Sequence, residues 1–201
     1  MTEVAPPWLP DGSREIGIYA ATRRLLYAPK PDEAWFRQWE PHDTMISPEL
    51  WYNAVTDRNA AGTVVVAEAW TASEAVEPLE RTLVGFAQLR GGPARRAAMR
   101  VGEPFMTKVA FLEMPPPPKV SIGDKVWDEH VTTFAASASE AAAAFPSRLR
   151  ELLRARGFRG HLEIRPGGFV VHHEGYGPRP DHYDTLFRMV SDIARALLSR
   201  R

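Results

Sequence analysis

Cysteine is absent from the 201 residues. That removes disulfides, zinc ribbons, thiol nucleophiles and thiolate-held clusters together, and it suits a reducing compartment. Net charge is missing too, since 25 Lys+Arg balance 25 Asp+Glu. Nucleic-acid binders usually carry a basic excess, because phosphate neutralisation supplies most of their affinity. Nucleic acid is therefore not an expected partner. No stretch approaches the roughly 18 uninterrupted apolar residues of a membrane span. The opening MTEVAPPWLPDGSRE has neither a basic start nor an apolar run, so no signal peptide is expected and the cytoplasm is the expected location. The chain also lacks a G-x-S-x-G elbow, a phosphate-cradling P-loop, a dinucleotide-type glycine pattern and H-E-x-x-H. No catalytic residue and no cofactor-binding motif can be assigned on those templates.

What remains is globular, with 44% hydrophobic and 25% charged residues. Residues 1–13 hold three prolines and no periodicity, and read as a loose arm; Pro6, Pro7 and Trp8 are its docking candidates. The body, 14–201, reads as one α+β domain. Ile16, Tyr19, Ala20, Arg23, Leu26 and Tyr27 recur at helical spacing over 13–27. A short helix is expected in DEAWFRQWE after Pro31, with acidic residues at its positive end. SPELWYNAV predicts a third helix, with Ser47 as N-cap and Pro48 in the first turn. Trp35, Phe36, Trp39, Trp51 and Tyr52 crowd this region. They read either as a packing layer over a sheet or as an exposed partner surface.

Strands are predicted over 62–70, 81–91 and 103–114, from β-branched and aromatic content bounded by glycine. Arg95, Arg96 and Arg100 form a basic cluster between the second and third of these, read as a solvated loop. The proline stretch 115–118 is a stiff spacer and the one candidate internal boundary. GDKVWDEH then reads as a turn entering a strand near 129–136. Its Asp124, Asp128, Glu129 and His130 invite an acid–base guess that a turn explains equally well. Ser137 and Glu140 are spaced as a capping box, Pro146 interrupts the helix, and Gly157 stops the next one. From 181 to 199 an unbroken apolar stripe predicts an amphipathic helix covering the sheet, with Asp181 as N-cap and an Asp184–Arg188 pair on its wet face.

Four of the six histidines lie in residues 160–184. Pro166–Gly167 suits a type II turn. With a two-residue loop, Ile164 faces Phe169, Leu162 faces Val171 and His161 faces His172. One face is then apolar, and the other carries His161, Glu163, Val170 and His172. His172 and His173 point apart, because a strand alternates faces. His161, His172 and Glu163 can converge, and two imidazoles with a carboxylate suit zinc or iron with a position open for water; His182 is a further contributor. The plainer reading is a half-buried ribbon whose second face is an ordinary exposed strand surface.

Over about residues 120–198, the succession SIGDKVWDEHVTTFAAS, FPSRLRELLRARGF and GHLEIRPGGFVVH resembles an uncharacterised bacterial domain family. There, a GD turn leads through strand and helix to a glycine-turn hairpin and a closing helix, and Trp127 stands where that pattern has Phe. Many members of that family also carry transmembrane segments. The resemblance implies an α+β fold and a non-enzymatic protein. The expected architecture is a mainly antiparallel sheet of five to seven strands under a helical layer. The expected role is interaction, scaffold or adaptor work through a protein partner or self-association. A small metal-dependent enzyme using the 161–173 hairpin, or a small-molecule sensor, is the alternative.

Overall fold

The structure is a computed structural model and describes residues 9–45, 47–71, 80–102 and 117–198. Most of the arm, and the strand expected over 103–114, lie outside the described residues. Of the helices expected near the N-terminus, two form: α1 (Ser13–Thr22) and the short α2 (Glu33–Arg37), whose Asp32 caps it by accepting from the Ala34 N–H. The first is shorter than its periodicity suggests. Its last positions leave the helix and enter β1 (Leu26–Ala28), the edge strand of the sheet.

The third expected helix is a strand. β2 (Leu50–Asn59) pairs along its length with β3 (Gly62–Thr71), which pairs in turn with β4 (Glu80–Leu89). Ser47 and Pro48 offered a helix start, but a full ladder to β3 and burial of Trp51 outweigh a local cap, since tertiary context overrides propensity. Between Tyr52 and Val55 the ladder slips by a bulge, with Asn53 at φ 48°.

The remaining strands are β5 (Ala97–Val101), β6 (Lys119–Val120), β7 (Thr132–Ala135), β8 (Gly160–Arg165) and β9 (Gly168–His173). Among the described residues, these nine join one sheet in the order β1-β2-β3-β4-β9-β8-β5-β7-β6, and every pairing is antiparallel. The five to seven strands of the expectation become nine because 50–59 is extended and the ends are finished by very short strands. The stretch read as a turn entering a strand is first a short helix, α3 (Lys125–His130), with β7 beginning only at Thr132. Its start is set by Asp124, which caps the Trp127 N–H. α4 (Ala138–Ala144) starts as expected on Ser137, which accepts from the Glu140 N–H, and α5 (Ser147–Ala155) follows Pro146. The last helix, α6 (Pro180–Leu198), begins one residue earlier than expected, so Asp181 lies in its first turn and pairs with Arg179 at 2.8 Å.

Two cores result. On one face α1, α4, α5 and α6 cover Val55, Val66, Leu83, Met99, Leu162, Ile164, Phe169 and Val171. On the other, Phe36 and Trp39 with Met45 cover Trp51, Val65, Val84, Phe86 and Val170. Phe36 stacks on Trp51 at 4.4 Å, so Trp35, Phe36, Trp39 and Trp51 form a packing layer; Trp51 and Tyr52 are supplied by the sheet, and Tyr52 lies against Trp70. Strands buried on both faces read as continuous apolar runs, which is why VVVAEAW shows no alternation.

Candidate functional site

The hairpin folds in the register that its hydrophobic pattern implies. His161 faces His172, Leu162 faces Val171 and Ile164 faces Phe169. Gly167 takes φ +84° in the turn. A side chain at Gly168 would run into the Ala87 carbonyl of β4, so glycine is what lets β9 close on β4.

The second face is not wet. His161, Glu163 and His172 are 1%, 0% and 3% exposed. Part of the cover comes from a segment far away in sequence, residues 41–45, which crosses this face like a strap. Glu163 fastens it. Its Oε1 accepts from the Asp43 N–H at 2.9 Å, the Thr44 N–H at 2.8 Å and the Thr44 hydroxyl at 3.1 Å. Its Oε2 accepts from Arg165 at 2.8 Å and lies 3.6 Å from His42 Nδ1, beyond hydrogen-bonding distance. Arg165 also donates to the Pro41 carbonyl, and Arg96 grips Asp43 from the strap's other side at 2.6 and 3.2 Å.

Burial alone would raise the Glu163 carboxyl. The neighbouring His42 and the Arg165 guanidinium outweigh it and hold the group well below the usual carboxylate range. The histidines go the other way. Burial pushes His161 down to about 4, against a partial opposing pull from Glu163, and pushes His172 down to about 3, with His161 and His173 adding to it. Both rings are therefore neutral at pH 7. Their centroids are 6.0 Å apart, and the Thr82 hydroxyl sits 2.8 Å from His172 Nε2.

His161 and His172 thus come together, while Glu163 turns its oxygens to the strap. His182 does not join them. Its ring accepts from the Gly177 N–H at 3.0 Å and stacks on Tyr176. His173 points to the opposite face, as its strand position requires, and stacks on the other side of Tyr176 at 4.1 Å. Among the described residues, no group of three or more His, Asp or Glu side chains is arranged to hold a metal ion.

The other charged clusters also do structural work. Asp128 gathers the Ser121 hydroxyl and the Ile122 and Gly123 N–H groups, and Asp124 adds a 3.0 Å pair with Arg150 to its capping bond. The basic loop splits up: Arg96 serves the strap, while Arg100 belongs to β5 and lies over the Phe134 ring.

Two features escaped the sequence reading. The first is a buried polar hub at the β2 bulge. Glu68 Oε1 accepts from Trp70 Nε1 and Arg81 Nε, both at 2.6 Å, and Oε2 accepts from Asn53 Nδ2 at 2.7 Å. Tyr27 donates to Asn53 Oδ1, and Tyr183 of α6 donates to the Asn53 carbonyl, each at 2.7 Å. A lone glutamate inside an apolar strand was its only sequence signal. The second is an open cavity of about 490 Å³ on the helical side, with Tyr19, Leu25 and Phe187 in its lining. On its walls Asp184 is shared by Arg23 at 2.7 Å and Arg188 at 2.8 Å, and Asp192 is shared by Arg156 and Arg195. Burial and the nearby Asp184 raise the Tyr19 hydroxyl to about 12, so it stays a neutral donor.

No protein-family model matches the chain, and no curated protein sequence matches it. Its fold is similar to that in the crystal structure of the mycobacterial trehalose monomycolate transport factor A, TtfA. The TM-score is 0.59 at 13% sequence identity, over 94% of this chain and 96% of that one. At that identity the likeness establishes the architecture alone. No helix among the described residues is long and apolar enough to cross a membrane.

Proposed function

We propose that the chain is a non-catalytic interaction or adaptor protein of the bacterial cytoplasm. The observation that supports this best is the use made of Glu163. It is the carboxylate that the hairpin register sets beside the paired histidines, and both of its oxygens are occupied by the strap and Arg165. A metal-dependent reaction at His161 and His172 would first have to release that fastening. The solved structure of similar fold is that of a mycobacterial trehalose monomycolate transport factor.

The test has two arms. Protein purified without a histidine tag is analysed for metal beside a His161→Ala/His172→Ala variant, and both are expected to hold less than stoichiometric metal. Stoichiometric zinc or iron in the parent, lost in the variant, would overturn the reading in favour of the metal-dependent enzyme. The second arm is the Glu163→Gln variant, expected to melt at a lower temperature and to yield the same co-purifying partner from the native host at reduced amount. Removing one member of a buried ion pair costs roughly 3–5 kcal/mol.

A further inference from the structure

The arginines around the helical-side cavity are arranged in a repeated unit. Asp184 and Asp192 lie eight positions apart on α6, and each is held between two guanidiniums. One carboxylate between two arginines leaves each unit with one net positive charge. Eight helical residues at 1.5 Å each separate the units by about 12 Å. Phe187 lies between them along α6, Tyr19, Leu25 and Ser191 complete the uncharged lining, and Asp57 is the third carboxylate; four arginines against three aspartates leave the whole basic. Arg23, Arg188 and Arg195 are more than half exposed. Ion pairs that wet contribute little to folding, so stability does not account for a duplicated arrangement.

We infer that this cavity is a docking groove for an acidic segment of a partner protein, lying along α6 with one carboxylate at each arginine–aspartate–arginine unit and an apolar side chain between. The inference rests on the interaction reading above and gives it a surface and a partner chemistry. Spacing decides the occupant. A single phosphate or carboxylate reaches one unit only. In an extended chain, residues four apart lie on the same side and about 13 Å apart, which matches the two units. The forked guanidiniums suit carboxylates, which accept two parallel N–H bonds. The chain as a whole is neutral, so the attraction is local and screened by salt within roughly 10 Å at 0.1 M.

The probe is a fluorescein-labelled peptide with two glutamates four residues apart and leucine and phenylalanine between them, followed by fluorescence anisotropy with the full chain. Expected are saturable binding that weakens at least tenfold when both glutamates become glutamine, and again in Arg23→Ala/Arg188→Ala. It should also weaken steeply between 50 and 300 mM salt, on the order of several-fold. Asp192→Asn removes an opposing carboxylate and is expected to tighten binding several-fold, a change that misfolding cannot produce. Equal binding of the glutamine peptide, or no effect of Asp192→Asn, overturns the groove. So does displacement by inorganic phosphate at matched concentration, which assigns the cavity to small anions. If no peptide binds while a native partner still co-purifies, the groove is wrong and the interaction reading stands.

Discussion

Glu163 and its two histidine neighbours show how one face of a strand can be misread. Residue types and register were both legible: the hydrophobic pattern alone placed His161 opposite His172 and turned His173 away. Burial was not legible, because the strap at 41–45 is roughly 120 residues distant in sequence and carries no signal that names its target. The consequence appears in acid. A histidine whose folded pKa is depressed binds fewer protons folded than unfolded, so stability is full above the unfolded value near 6.5 and is lost as pH falls toward the folded values of about 4 and 3. Each ring contributes about 1.4 kcal/mol per pH unit in that window. Unfolding free energies from urea titrations are expected to hold between pH 7.5 and about 6.5 and then to fall toward pH 4.5 at up to about twice that slope, and His161→Leu/His172→Leu to flatten the profile. An unchanged slope in the double variant would show that other groups carry the acid sensitivity. Glu163, depressed in its turn, holds its contribution down to still lower pH.

At the scale of elements, α6 and the 160–173 hairpin were readable in nearly full detail, because an amphipathic stripe and a Pro–Gly turn are local signals. β2 was not. Ser47, Pro48 and Glu49 satisfy the rules for beginning a helix, and only the partner strand after Ala60 and Ala61 shows that Trp51 and Val55 belong to opposite faces. Packing of α6 on the sheet turns on Gly85 of β4, where an added Cβ would lie 2.6 Å from Val190 and 3.1 Å from Val171. Gly85→Ala is expected to destabilise the protein by about 1–3 kcal/mol, as overpacked cores do. Val190→Ala should recover part of that loss in a double-mutant cycle of denaturation midpoints. Strict additivity of the two would mean that the helix shifts instead of clashing.

Taken whole, the described residues form a single sheet with its two faces covered by unequal layers, and the pattern of expected helices and strands pointed to that class without revealing the strand order. The order matters because chain sequence and spatial sequence disagree at the centre. β4 is joined on one side to β3, its predecessor, and on the other to β9, which arrives some eighty residues later. A chain truncated after residue 157 therefore keeps β2 to β4 but leaves β4 without its outer neighbour and without α6 above it. Such a fragment is expected to bind a hydrophobic dye and to sediment as aggregate at concentrations where the full chain is monodisperse. A soluble, cooperatively unfolding fragment would show that residues 1–157 close by themselves.

The same placement sets a schedule for synthesis. While the ribosome is still making residues 90–167, β4 presents an unpaired backbone edge beside an uncovered apolar face, the kind of surface that recruits other nascent chains. Only when the last hairpin emerges can it slide in beside β4 and seal the seam. Codon changes that slow the ribosome before residue 168 are therefore expected to lengthen that exposure and to raise the aggregated fraction.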